Sequence, residues 1–168
     1  ERWLAASSEL TRSLLSGQPP ADVLRSFTAT IREMADADLV TLAVPVADSD
    51  DLVVEAASGP LADGVRGLVL SGESTLMGKV LGSGETIVSD DLSRDPGAVV
   101  AKAVGPDLGS AFLLPLGTRE SIRGVLQVAN RADRPQLSDA VVRMVTGFAD
   151  HAALALEIAE RRRDAELL

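Results

Sequence analysis

The chain has no cysteine and no tyrosine, and only one histidine, one tryptophan and three phenylalanines among its 168 residues. Without cysteine there is no disulfide, no zinc knuckle, no thiol nucleophile and no bilin chromophore linked through sulfur. Basic charge is also scarce. Lys and Arg number 16 against 25 Asp and Glu, giving a net charge of −9 and a pI near 4.6. The one basic cluster, Arg161-Arg162-Arg163, is flanked by Glu160, Asp164 and Glu166. A nucleic-acid surface needs clustered Lys and Arg to meet phosphates, so that partner class is excluded. No apolar run approaches the roughly 18 residues of a membrane span, so direct membrane insertion is not expected, and the start shows no secretion pattern. Beginning on Glu1 rather than Met and ending within a helical pattern at Glu166-Leu167-Leu168, the chain reads as a piece of a longer cytoplasmic protein.

What is present is apolar: 46% of residues, enough for one compact domain with its own core. The opening stretch spaces Trp3, Leu10 and Leu14 as an amphipathic helix, with Ser7 breaking the seam and Gly17 as its stop. After Pro19-Pro20 a second helical pattern runs through Val23, Leu24, Phe27, Ile31 and Met34. LVTLAVPVA and LVVEAASG form a hairpin pattern around Asp48 to Asp51. A loop then leads to a short helix over Ser74 to Leu81, ended by Gly82 and Gly84, and to a brief strand, TIVSD. DLSRDPG reads as a loop and AVVAKAVGP as a short helix, before a second hairpin, SAFLLPLGT and SIRGVLQVANR. Leu137 to Leu167 closes the chain as one long helix capped by Ser138 or Asp139. Strands adjacent in hairpins predict an α+β fold with a mainly antiparallel sheet and helices packed on it.

In the last helix, Val141, Val145, Phe148, Ala152, Ala155, Leu156 and Ala159 form one apolar stripe. Met144, Gly147, Leu154 and Ile158 form another beside it, and His151 falls at the seam. One stripe suffices for a helix lying on a sheet. The second predicts another packing partner: the first helix, or a second copy of the chain.

Several strings imitate catalytic motifs and fail on detail. Gly72 to Lys79 resembles a phosphate loop, but five residues separate the glycines and Val80 replaces the Ser or Thr that would hold magnesium. Gly82-Ser-Gly84 lacks the third glycine of a dinucleotide fingerprint. Asp90, Asp91 and Asp95 lack the alternating ligands of a calcium loop and suit capping or turns. No G-x-S-x-G elbow occurs. The residues point to no catalytic site and no metal site.

The stretch LMGKVLGSGETIVSDDLSRDP, followed by SAFLLPLGTRESIRGVLQVANR and by LSDAVVRMVTGFADHAALALEIAE, resembles the GAF domain family, sensory relatives of PAS domains, over residues 20 to 160. The closing ALALEIAERRRDAELL resembles the linker into the kinase part of an actinobacterial-type sensor histidine kinase. The resemblance implies a five- or six-stranded sheet, a GAF domain over residues 19–158, a signalling and dimerisation helix over 1–18, and a helical linker over 159–168. It implies a non-catalytic sensory and dimerisation module in a two-component system, a homodimer with a kinase domain downstream in the same chain. A small-molecule pocket is expected around Met77, Leu81, Ile87, Val88, Val99, Val100 and Phe112, with Lys102 as an anchor for an anionic group. The dimer contacts would come from Trp3, Leu10, Leu14, Met144, His151, Leu154 and Ile158. No cofactor is predicted; an unknown small ligand is allowed.

Haem-binding members of that kinase group carry a histidine in the segment that here reads GAVVAKAVGPDLG, which has none. Cyclic-nucleotide binders follow Asn-Lys with a Phe and an acidic pair. Here Asn130-Arg131 is followed by Leu137 and Val141-Val142. Enzymes of the methionine-sulfoxide reductase type share the fold, but need cysteines that are lacking. The competing reading, a haem- or metal-binding redox or gas sensor, would rest on His151.

Overall fold

The computed structural model describes residues 2–100, 108–118 and 120–167, with side chains omitted at some positions of the first, second and last helices. Helix α1 spans Arg2–Leu15 and α2 spans Pro20–Ala35. Pro20 opens α2, where its missing N–H costs nothing. Asp36 closes it in the left-handed conformation (φ 49°), its N–H bonded to the carbonyls of Arg32 and Glu33. Six strands follow: β1 (Leu39–Pro45), β2 (Leu52–Ser58), β3 (Val69–Leu70), β4 (Ile87–Ser89), β5 (Leu108–Thr118) and β6 (Ser121–Arg131). The short helix α3 covers Leu76–Ser83, and the 29-residue α4 covers Asp139–Leu167. Of the helix expected in AVVAKAVGP, Val99 and Val100 are helical, and residues 101–107 lie outside those described.

The strands form one sheet in the order β3-β2-β1-β6-β5-β4, every neighbouring pair antiparallel. This is the predicted α+β architecture at the six-strand limit. The strand that the sequence reading placed in a loop is β3, only two residues long, too short for any alternation to show.

Both faces of the sheet are covered. On one, Val40, Leu42, Phe112, Leu114, Leu126 and Val128 pack against Phe27 and Ile31 of α2, Val145 and Phe148 of α4, and Leu10 of α1. On the other, Leu39, Ala43, Leu113, Val125 and Ala129 lie under Leu76, Met77 and Val80 of α3 and under Leu92. Alternation along the central strands divides them between two half-cores, so β5 and β6 are apolar almost continuously. A bulge in β2, where the pairing shifts between Leu42 and Ala43, lets Val54 enter one half-core and Ala56 the other.

Ser138 is the cap of α4: its Oγ accepts the N–H of Val141 at 3.2 Å. Ser138→Ala should cost about 1 kcal/mol. In urea, this should lower the unfolding midpoint without changing the slope.

Candidate functional site between the sheet and α3

Helix α3 is held by its own first turn. Thr75 Oγ1 accepts the N–H of Gly78 at 3.1 Å and donates to the carbonyl of Ser71. The glycines of the apparent phosphate loop serve close packing. A Cβ at Gly78 would fall 2.1 Å from the carbonyl oxygen of Gly72, and one at Gly72 would fall 1.9 Å from that of Asp50. Gly84 ends the helix at φ 70°. The aspartates beyond it make turns. Asp91 Oδ1 accepts from the N–H and hydroxyl of Ser93 at 3.0 and 2.6 Å, and Asp95 Oδ1 from the N–H of Gly97 at 2.8 Å. The Ser93 hydroxyl, then its N–H, hold the Asp91 carboxyl below its usual pKa. Whatever stability this lends is present above the ordinary Asp range near pH 4 and fades as pH falls through the lowered value. Among the described residues no group of three His, Cys, Asp or Glu could hold a metal ion.

Between α3, the sheet and Gly97 to Val100 lies a small cavity of ≈ 10 Å³. Met77, Val99 and Val100, three of the residues named from the sequence, line it together with Leu70, Thr75, Ala98 and Gln127. Leu81 and Ile87 are half-buried against the same half-core. Val88 and Phe112, cross-strand partners, stand on the other sheet face. Phe112 is wholly buried under the helices, whereas Val88 is 63% exposed at the sheet edge. Phe112 was expected at the pocket, but alternation along β5 turns Ala111 and Leu113 toward the cavity side instead. Lys102 lies outside the described residues. Gln127, not among the residues expected from the sequence, is a polar residue of the cavity beside Thr75.

On the helical face, α1 packs along α4. Leu10 is buried in the half-core of its own domain, so its side chain is not free for a second chain as expected. Met144 packs half-buried on the same half-core. Leu154 and Ile158 are 57% and 49% exposed, and Leu4 of α1 is 51% exposed. The side chains of Trp3 and Leu14 are outside the described set. His151 is exposed, its Nε2 3.3 Å from Thr11 Oγ1, a hydrogen bond joining α4 to α1. An open groove of ≈ 300 Å³ beside Leu154 is lined by Arg123, Asp150 and Glu157; partial burial raises the pKa of Asp150.

Asn130 and the residues after it act as a latch rather than a ligand motif. Asn130 Oδ1 accepts the N–H of Asp38 at 3.1 Å. Asp38 Oδ2 accepts the N–H of Arg131 at 2.8 Å, and Asp38 Oδ1 accepts from Arg134 Nη1 at 3.2 Å. The start of β1 is thereby tied to the end of β6. No helix among the described residues is long and apolar enough to cross a membrane.

This arrangement is shared with solved structures. The second GAF domain of DevS from Mycobacterium smegmatis superposes with a TM-score of 0.74 at 25% identity, over 88% of this chain and 99% of that one. The GAF domain of an Acinetobacter phosphoenolpyruvate-protein phosphotransferase matches in fold, with a TM-score of 0.75 and 16% identity over 98% of both chains. So does the phycoerythrobilin-bound GAF domain of a cyanobacterial phytochrome, at 0.77 and 14% over 96% of this chain and 97% of that one. The sequence profile of the GAF domain matches residues 17–157. With that profile covering most of the chain, and with this sheet order and these two half-cores, the chain belongs to the GAF domain family, as a sensory domain.

Proposed function

We propose that this chain is the sensory and dimerising module of a two-component sensor histidine kinase. A small ligand enters between the sheet and α3, and the state of the pocket is passed through the sheet to α1 and α4. The observation that carries this reading is the contrast between the two covered faces. One holds a small recess of ≈ 10 Å³ with Gln127 and Thr75 in its lining. The other carries a 29-residue helix whose Leu154 and Ile158 stay in solvent although they are large and apolar. Exposed apolar side chains clustered on one face mark association surfaces. Leu4, Leu154 and Ile158 would meet their equivalents in a second copy, and a shift of the paired helices would bias a kinase domain beyond Leu168. The similarity to the second GAF domain of DevS supports the same setting.

Native mass spectrometry of the purified protein tests both halves at once, reporting stoichiometry and any retained small molecule. A dimer is expected. Leu154→Glu should weaken it about 30-fold, as expected for an interface residue worth ~2 kcal/mol. A monomer at high concentration, with neither stability nor association altered by deletion of residues 1–16, would overturn the reading.

A further inference from the structure

Two buried polar side chains stand without partners in the half-core beneath α3. Gln127 is 3% exposed and Thr41 wholly buried, yet Gln127 Nε2 and Thr41 Oγ1 have no hydrogen-bond partner among the described residues. They are direct cross-strand neighbours: Thr41 of β1 pairs with Gln127 of β6. Alternation puts both on the α3 side, because Val40 and Leu42 beside Thr41, and Leu126 and Val128 beside Gln127, all face the helices. Elsewhere in the fold Thr28 donates to Arg25, Thr75 to Ser71 and Thr146 to Val142; Ser7 Oγ of α1 is also buried without a partner, but it has no unpartnered cross-strand neighbour as Thr41 and Gln127 do. An unmet buried donor is costly, so such groups are normally paired. Two of them face to face, one lining the cavity, mark a place prepared for an external partner.

The chemistry of that partner follows from the lining. A carboxamide N–H needs an acceptor, and the Thr41 hydroxyl can give or take one further bond. No described lining residue is charged, and an unpaired ion would be expelled from such a site. The natural complement of a carboxamide is another amide held cis, with its C=O and N–H side by side, as in a lactam or imide. At ≈ 10 Å³ the cavity holds about one water molecule. A ring enters if Met77 swings aside, which its flexible unbranched thioether allows.

We propose that Gln127 and Thr41 form the recognition floor of the pocket and select a small uncharged cyclic amide. This rests on the sensory reading above. The probe is δ-valerolactam, with cyclohexane at aqueous saturation as the apolar match, each titrated into ¹⁵N-labelled protein. The lactam is expected to shift the side-chain NH₂ resonances of Gln127. Gln127→Leu should weaken lactam binding about tenfold, the worth of one good hydrogen bond, while cyclohexane binds no worse. In ligand-free protein, Thr41→Val should raise Tm by about 3 °C, because a stranded hydroxyl is removed at nearly constant shape. Equal lactam affinity in wild type and Gln127→Leu overturns the proposal, as does the absence of any shift at Gln127. So does a fall in Tm for Thr41→Val, which would show the pair to be satisfied internally. If native mass spectra still show a dimer retaining a small molecule, only the recognition floor has failed and the sensory reading stands.

Discussion

Phe148→Ala is expected to cost about 4 kcal/mol of folding free energy, the upper part of the range for truncating a buried aromatic. Phe148 is 1% exposed and stands against Phe27 of α2, ring centroids 5.1 Å apart and tilted by 35°. With one tryptophan, three phenylalanines and no tyrosine in the chain, few residues could refill the space. Domains of this size hold only some 5–15 kcal/mol in all, so the variant should unfold at much lower denaturant, measured by circular dichroism in urea. A double-mutant cycle with Phe27→Ala should show coupling of about 1 kcal/mol beyond the separate losses, because the rings meet each other. Additivity within about 0.3 kcal/mol would mean that each ring packs independently.

Gly78→Ala should cost about 3 kcal/mol, near the top of what overpacking usually exacts. The added methyl would lie 2.1 Å from the carbonyl oxygen of Gly72, a backbone atom that cannot turn away as a side chain would. Relief requires α3 to lift from the loop beneath it, so the cavity beside Met77 should open as stability falls. Gly82, four residues later in the same helix, has nothing within 4 Å of a built Cβ. Gly82→Ala should therefore stabilise by about 0.5–1 kcal/mol, the usual gain of Ala over Gly in a helix. Thermal unfolding of the pair separates steric conflict from helix propensity: opposite signs support the close approach, and equal signs refute it.

The long elements were legible because their periodicity was sustained. The helix carrying Val145, Phe148 and Ala152 showed its sheet-facing side in the sequence, and those residues are buried there. The two hairpins were legible from turn residues between β-rich runs. What stayed hidden depends on register. Nothing local says that Phe112 faces the helices while Leu113 faces α3, since a strand covered on both sides is apolar throughout. Gln127 in SIRGVLQVANR was a visible polar residue amid apolar neighbours, but its pairing with Thr41 exists only once β1 lies beside β6. Leu10 was read as available to another chain because a helical stripe does not say which neighbour covers it. Likewise Gly72 and Gly78 looked like a motif, and their reason emerged only where two backbones approach.

The sheet terminates in its two shortest strands, β3 with two residues and β4 with three. An outer strand with many free N–H and C=O groups is a template for adding another chain's backbone. Here the longest strands, β5 and β6, are interior in the strand order, although β4 covers only Ala111 to Leu113 of the 11-residue β5. In a concentrated solution, β3 and β4 themselves therefore offer little backbone with which to extend the sheet from molecule to molecule. The short outer strands thus limit sheet extension at the two ends of the strand order, and leave contact between copies more to side chains, whose sequence can be tuned without disturbing the fold.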